Sequence, residues 1–334
     1  MTVMLKLTSL EKARVYQKTK GYRTYEGPLL EGPRYSIPRG GEHFPDALAC
    51  IPDPPERLYA IGNLDAFKEG LAVIGARKAT PYGLSCAEHF SRLAALQGIP
   101  IISGGAYGCD AAAHKAALSV SGETVDFLGG GCDQVYPATH QCLFQEVIDK
   151  GGVVVSENPW DYPALPFTFR NRNRLIAGLA KATLIVEAGL PSGTFSTADE
   201  ALSAGKDVLV VPGAITSSTS AGSNRLLYQG AAPIVDDDSF HDILFDLFSC
   251  LKPQDCASAA RASEARSAKG DPLLHALQAQ PMRMDQILSS VSVPKSKGTA
   301  QSWIMLRLAE LERDGLIARY PDGRFGPMKP RDSF

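Results

Sequence analysis

The chain lacks the marks of several large functional classes. Its seven cysteines are an odd number, and no two stand in a Cys-x-x-Cys pair. A disulfide framework or structural zinc site is therefore not expected, whereas a reducing cytoplasm is. No Gly-x-x-x-x-Gly-Lys-Ser/Thr run occurs, which excludes a P-loop ATPase. No Gly-x-Gly-x-x-Gly follows the first apolar strand, so dinucleotide binding has no support. The apolar runs fall far short of a membrane span, and no N-terminal signal peptide is visible. Excess positive charge is missing too: 34 Lys and Arg face 36 Asp and Glu, for a net charge of −2. Any nucleic-acid site must then be a local basic patch, not a field over the whole protein.

What is present is a chain of 334 residues, 44 % hydrophobic and 21 % charged, enough for two or three domains and at least one substantial core. Residues 1–70 read as an irregular lead-in, polar and then proline-punctuated, with a short helix inside 12–25. From residue 71 the pattern changes. Short apolar strands at 71–75, 99–103, 124–128, 152–156, 183–187, 208–211 and 233–235 alternate with helices at 85–97, 110–118, 143–150, 174–180, 194–204 and 223–229. This alternation predicts an α/β fold, a doubly wound parallel sheet of Rossmann-like type over residues 71–238. Glycines fall repeatedly at strand C-terminal ends, the edge at which open α/β sheets bind ligands. A helix at 240–251 and a linker rich in Ala and Ser make up 239–270. Residues 271–334 read as three helices and a hairpin turning at Pro321, Asp322 and Gly323, the winged-helix pattern. This stretch holds nine Lys and Arg against seven Asp and Glu, and the helix that would enter DNA carries Glu310 and Glu312. Protein contact or weak DNA contact is favoured there over strong duplex reading.

The densest chemistry lies at 169–174. Arg170, Arg172 and Arg174 fall within five residues, directly ahead of an apolar helical run. The macrodipole disfavours cations at a helix N-terminus, so three of them point to an anion bound there. Asn173 adds a short polar donor, and Phe169 a flat face on which a base can stack. Pairing of these arginines with carboxylates of the same fold, such as Glu157, Glu187 or Asp199, explains the cluster equally well. At the first strand end Gly75 lets the backbone approach a phosphate, and Arg77 can fork onto its oxygens; an ordinary turn would also use that glycine. Ser103, Gly104 and Gly105 suit an anion-binding nest ahead of a helix capped by Asp110. Ser192, Gly193 and Thr194 open a further helix with backbone and hydroxyl donors, which capping alone would also require. His114, on an alanine-rich helix, reads as a packed, hydrogen-bonded histidine. No nucleophile, base and orienter stand together and no metal cluster does, so no catalytic residue, metal site or cofactor is expected.

Five ordered segments resemble one family, the DNA-processing protein A (DprA/Smf) family: Val73 to Arg77, Ser103 to His114, Gly130 to Pro137, Arg172 to Leu179, and Glu187 to Gly213. The likeness runs from about residue 44 to 235, and the winged helix also matches. The resemblance implies an extended Rossmann-like domain in a cytoplasmic bacterial protein. Such proteins bind single-stranded DNA, form homodimers and load the RecA recombinase onto incoming strands in transformation, without being enzymes. By motif match the strand pocket would use Gly75, Arg77, Ser103, Gly104, Gly105, Phe169, Arg172 and Arg174. Three departures stand out. The family's N-terminal helical domain is not recognisable in 1–43, Ala76 stands where Ser is common, and Arg170 with Asn171 stands where proline is frequent. A diverged member with a toxin partner, in a toxin–antitoxin or phage-defence system, is one alternative. A nucleotide-hydrolysing phosphoribohydrolase is another, but Pro191, Ser192, Gly193 and Thr194 match its glycine-rich signature only in part, and Glu200 is misplaced for it.

Overall fold

The computed structural model describes residues 8–249, 272–290, 300–313, 317–320 and 323–327. The chain divides into two compact units, Met1–Leu251 and Lys252–Phe334. The linker expected over 252–270 and the turn residues 321–322 lie outside the described residues.

The first unit is built on a nine-stranded sheet. Its strands are β1 (Arg34–Pro38), β2 (Arg57–Gly62), β3 (Gly70–Ile74), β4 (Ile101–Ser103), β5 (Thr124–Phe127), β6 (Val153–Ser156), β7 (Ala180–Ile185), β8 (Asp207–Val210) and β9 (Ala232–Pro233). Their order is β1-β2-β6-β5-β4-β3-β7-β8-β9. From β6 to β9 every neighbouring pair is parallel, the doubly wound sheet that the alternation of strands and helices predicts. β3, β5 and β6 are buried at every residue, because both faces of the parallel sheet are covered by helices and no polar face is needed.

The helices are α1 (Ser9–Lys20), α2 (Asp46–Ala49), α3 (Pro81–Leu96), α4 (Cys109–Ser119), α5 (Gln141–Asp149), α6 (Pro166–Leu179), α7 (Thr194–Ser203), α8 (Ala221–Tyr228) and α9 (Asp237–Phe248). On one face of the sheet Leu175, Ile176 and Leu179 of α6, Ala198 and Ala201 of α7 and Leu226 of α8 pack against Ile74, Ile102, Phe127 and Val210. On the other, Ala87 and Phe90 of α3, Ala113 and Ala117 of α4 and Phe240 of α9 cover Val73, Ile101 and Leu184. Each fully buried Leu or Ile contributes about 1.5–3 kcal/mol. The alanines of α4 let it lie close to both α3 and the sheet.

Two expectations need correction. The lead-in is not irregular, because β1 and β2 add an antiparallel pair to the sheet edge, with β2 against β6. Polar residues alternating with buried ones along β1, and the prolines around 52–55, conceal these strands. Helix α6 begins at Pro166, not at 174. Proline at the first helical position is pre-organised for the turn, and the Thr168 hydroxyl accepts from the Leu165 amide at 3.1 Å. The arginines therefore lie within the helix, not ahead of it.

The second unit holds α10 (Pro272–Ala279), α11 (Met284–Ser290) and α12 (Ala300–Arg313), then the antiparallel ribbon of β10 (Ile317–Arg319) and β11 (Phe325–Pro327). A bridge from Met282 to Phe325 ties the helix pair to the ribbon. Leu273, Leu277, Ile287, Ile304, Leu308, Leu311 and Ile317 form its core. Among the described residues the order is three helices and then a two-stranded ribbon. Among the described residues no helix is long and apolar enough to cross a membrane.

Candidate functional site

Strand order reverses between β3 and β7: the chain winds from β3 out to β6, then returns through α6 to β7 on the other side of β3. Loops leaving the C-terminal ends of two such strands diverge and leave a crevice. Here the crevice is a cleft of about 1020 Å³. Gly75, Ala76 and Arg77 after β3, Ala106 after β4, Gly189 and Pro191 to Thr194 after β7, and one side of α6 line it.

Helix geometry sorts the side chains of α6. At about 100° per residue, positions 169, 172, 173 and 176 share one side, and Phe169, Arg172, Asn173 and Ile176 all line the cleft. Arg170 and Arg174 fall on a different flank, where a smaller cavity of about 320 Å³ also includes Asp53 and Glu200. Arg170, exposed, borders both cavities.

Three of the expected binding residues have their side chains engaged within the fold. Arg172 is only 5 % exposed. Its Nη1 donates to the carbonyl oxygen of Gly104 at 2.8 Å and to that of Phe127. Burial lowers its pKa, while Asp110 and Asp126 oppose the shift. It forms the floor of the cleft and braces the ends of β4 and β5; it is not a free phosphate clamp. Arg174 pairs with Glu157 and, at 3.2 Å, with Asp53. For Arg174 the carboxylate-pairing alternative is the one realised, and the residue does not line the main cleft. Ser103 is fully buried, and its hydroxyl donates to the Val73 carbonyl at 2.7 Å, so it offers nothing to a ligand.

Gly104 and Gly105 are buried with it. A side chain on Gly104 would strike the Arg172 guanidinium, and Gly105 sits at φ +60° against Phe144 and Asp126. These glycines serve close packing, and the cleft face of this loop begins at Ala106. Gly75 does both: it lines the cleft, and a Cβ there would lie 2.6 Å from Cys109 Sγ.

Among the groups that face the cleft are Arg77, Phe169, Arg170, Asn173, the start of α7 and, further along that helix, the carboxylate of Asp199. The exposed Arg77 guanidinium lies 5.7 Å from the centroid of the Phe169 ring, within cation–π reach. Tyr136, absent from the sequence-based set, packs against that ring, tilted by 51° with centroids 5.0 Å apart, and is 45 % exposed. Gly129 makes room for the ring, since a Cβ would sit 2.6 Å from it. Asn173 donates to Ser196 Oγ at 2.9 Å and so joins α6 to α7. Ser192 Oγ accepts from the Thr194 amide at 3.1 Å and donates to the Thr194 hydroxyl. The exposed Gly193 leaves that helix start open, with nothing within 4 Å of a Cβ. Tyr22, from the lead-in, also borders the cleft; no local pattern marks it.

Beneath the floor lies a buried polar group. Thr124 Oγ1 donates to the Ile101 carbonyl, so it accepts from His114 Nδ1 at 2.6 Å. The other ring nitrogen faces Asp126 Oδ1 at 3.5 Å. Asp110 is pushed above the ordinary carboxyl range by burial, with Arg172 and His114 opposing. His114 is thus a packed, hydrogen-bonded histidine with no access to the cleft. Glu187, offered as a partner for the arginines, instead accepts from the Thr80 amide and hydroxyl at 2.7 and 2.8 Å.

Known proteins share this sequence and fold. The family model described as DNA recombination-mediator protein A matches residues 36–245. Protein Smf of Escherichia coli (strain K12) is 39 % identical over 211 residues, which are 63 % of this chain and 56 % of that protein. A putative DNA processing protein DprA of Mycobacterium tuberculosis is 36 % identical over 276 residues, 81 % of this chain and 68 % of that one. The match thus leaves close to half of the Escherichia coli protein uncovered. The X-ray structure of DNA processing protein A from Streptococcus pneumoniae superposes with a TM-score of 0.59 at 30 % identity, covering 70 % of this chain and 78 % of that one. DNA processing protein A from Helicobacter pylori, described for its single-stranded DNA binding mode, gives the same TM-score and identity over 65 % of this chain and 98 % of its own.

Proposed function

Because the chain belongs to the DNA recombination-mediator protein A family, we propose that it binds single-stranded DNA in the cleft at the β3/β7 switch point and acts by binding, not by covalent chemistry. The observation that carries the reading is the cluster of Arg77, Phe169 and Tyr136 beside the exposed start of α7. An aromatic face accepts any base, a guanidinium neutralises its phosphate, and the dipole at an exposed helix start favours an anion. Arg77 and Arg170 are the phosphate contacts, Phe169 and Tyr136 the stacking faces, and the exposed Gly193 the backbone site. Arg172 positions the floor on which these rest.

Family membership supports the finer reading: the protein is cytoplasmic, homodimeric, and loads RecA onto single strands during DNA uptake. The test is a titration with labelled oligothymidylate at two salt concentrations, wild type beside Arg77→Ala. Salt-sensitive binding that Arg77→Ala weakens by about tenfold is expected, with the salt slope reduced by about 0.7. Binding insensitive to salt, or none, would sink the proposal.

A further inference from the structure

The residues ahead of the family match carry a feature that the cleft does not use. Between 8 and 25 stand Lys12, Arg14, Lys18, Lys20 and Arg23 against Glu11 alone, interleaved with Tyr16, Tyr22 and Tyr25. Glu11 is turned back onto the Thr8 amide and hydroxyl, where it caps α1. Of the five cations only Arg14 makes an ion pair with another described residue, Asp161. That pair, with Ala13 packed among Tyr162 and Leu165, docks α1 beside the start of α6.

The docking orients the rest of the helix. Positions 13 and 17 face inward and are buried, while 12, 16 and 20 follow one another along an adjoining stripe. Tyr16 therefore stands between two exposed lysines. Its ring lies 6.2 Å from Phe167 and 6.3 Å from Tyr22. All three rings are exposed, at 40 % for each tyrosine and 43 % for Phe167. Gly21, at φ +70°, ends the helix and turns the chain back, so that Tyr22 reaches the edge of the cleft. A row of open aromatic faces thus runs out of the cleft along α1, flanked by unpaired cations.

We infer that this N-terminal arm is a second segment of the nucleic-acid track, on which bases leaving the cleft stack against Tyr22, Tyr16 and Phe167 while Lys12 and Lys20 neutralise their phosphates. The inference rests on the single-strand reading of the cleft. Aromatic faces interleaved with cations are the composition that such tracks need, because stacking tolerates any base and charge follows the backbone. A protein partner would not require the alternation of ring and lysine along one stripe. The arm also places positive charge on a chain whose net charge is −2.

The test uses the full chain and oligothymidylates of about 5 and about 16 nucleotides, the lower and upper ends of usual site sizes. Tyr16→Ala should weaken the long strand by about tenfold and the short one far less, whereas Tyr16→Phe, which keeps the stacking face, should bind like wild type. Lys12→Gln with Lys20→Gln should lower the salt slope for the long strand by about 1.4. If wild type binds neither strand, the cleft reading itself fails. If wild type binds but these variants lose nothing, or lose equally on both lengths, the arm is no part of the track and the cleft reading stands.

Discussion

Arg170 and Arg172 stand two residues apart on α6 and occupy opposite environments. Two steps along a helix rotate the side chain by about 200°. Arg170 ends in open water between two cavities, while Arg172 ends against two backbone carbonyls over a buried carboxylate pair. Arg174, nearly in line with Arg170, would share its exposure but for Glu157 and Asp53, which close over it. The same residue type thus supplies a free cation, a structural brace and an ion pair within five residues. The local sequence is nearly symmetrical, so the difference lies in what each flank of the helix meets.

Mutations can break that comparison. The largest effect is expected from Arg172→Ala, which leaves Asp110 and Asp126 without their cation and frees the carbonyls of Gly104 and Phe127. Loss of one member of a buried charge network costs about 3–5 kcal/mol, measurable as a lower urea midpoint. A cost below about 1 kcal/mol would return Arg172 to the set of free ligands. Arg77→Ala should do the reverse: strand affinity falls by about tenfold, while stability changes by less than about 0.5 kcal/mol, as for other exposed sites.

The pH dependence of stability sharpens the same contrast. Burial raises the pKa of Asp110 and of Glu157, with Arg172 and Arg174 respectively opposing. The folded chain then holds protons that the unfolded chain releases. Their contribution is fully present below the ordinary carboxyl pKa of about 4, and it is lost as pH rises through the raised values. Asp110→Asn should flatten that decline in urea melts across the range. An unaltered slope would mean that Asp110 is not its source. The smallest effect belongs to Gly193→Ala, which meets nothing within 4 Å. Thermal melts should place it within about 0.5 kcal/mol of wild type, and a larger loss would show that the α7 start is tighter than described.

Much of the fold was legible because it rests on short-range pattern. The apolar run 71–75 has no polar alternation and stops at a glycine, as buried parallel strands do. The start of α7 at Thr194 was legible from Ser192 and Gly193. β1 and β2 were not, because an edge pair needs only one buried face, and prolines nearby argue for loop. Pro166 would have marked the true start of α6, but the polar run after it resembled a loop more than a helix. Of the site, Gly75, Arg77, Phe169, Asn173, Gly193 and Thr194 are brought together at one cleft. Tyr22 and Tyr136 join them from far along the chain, and only the packing of α1 and of the loop after β5 places them there.

The sequence by itself determined the alternation of strands and helices, the glycine-lined edge and the collection of residue types suited to a nucleic-acid strand. These follow from periodicity and from backbone demands that act over a few residues. Which arginine is free, which is buried and which is paired was decided only by tertiary structure. A guanidinium's role depends on the carbonyls and carboxylates around it, and Gly104, Phe127, Glu157 and Asp53 reach α6 from four separate loops and strand ends.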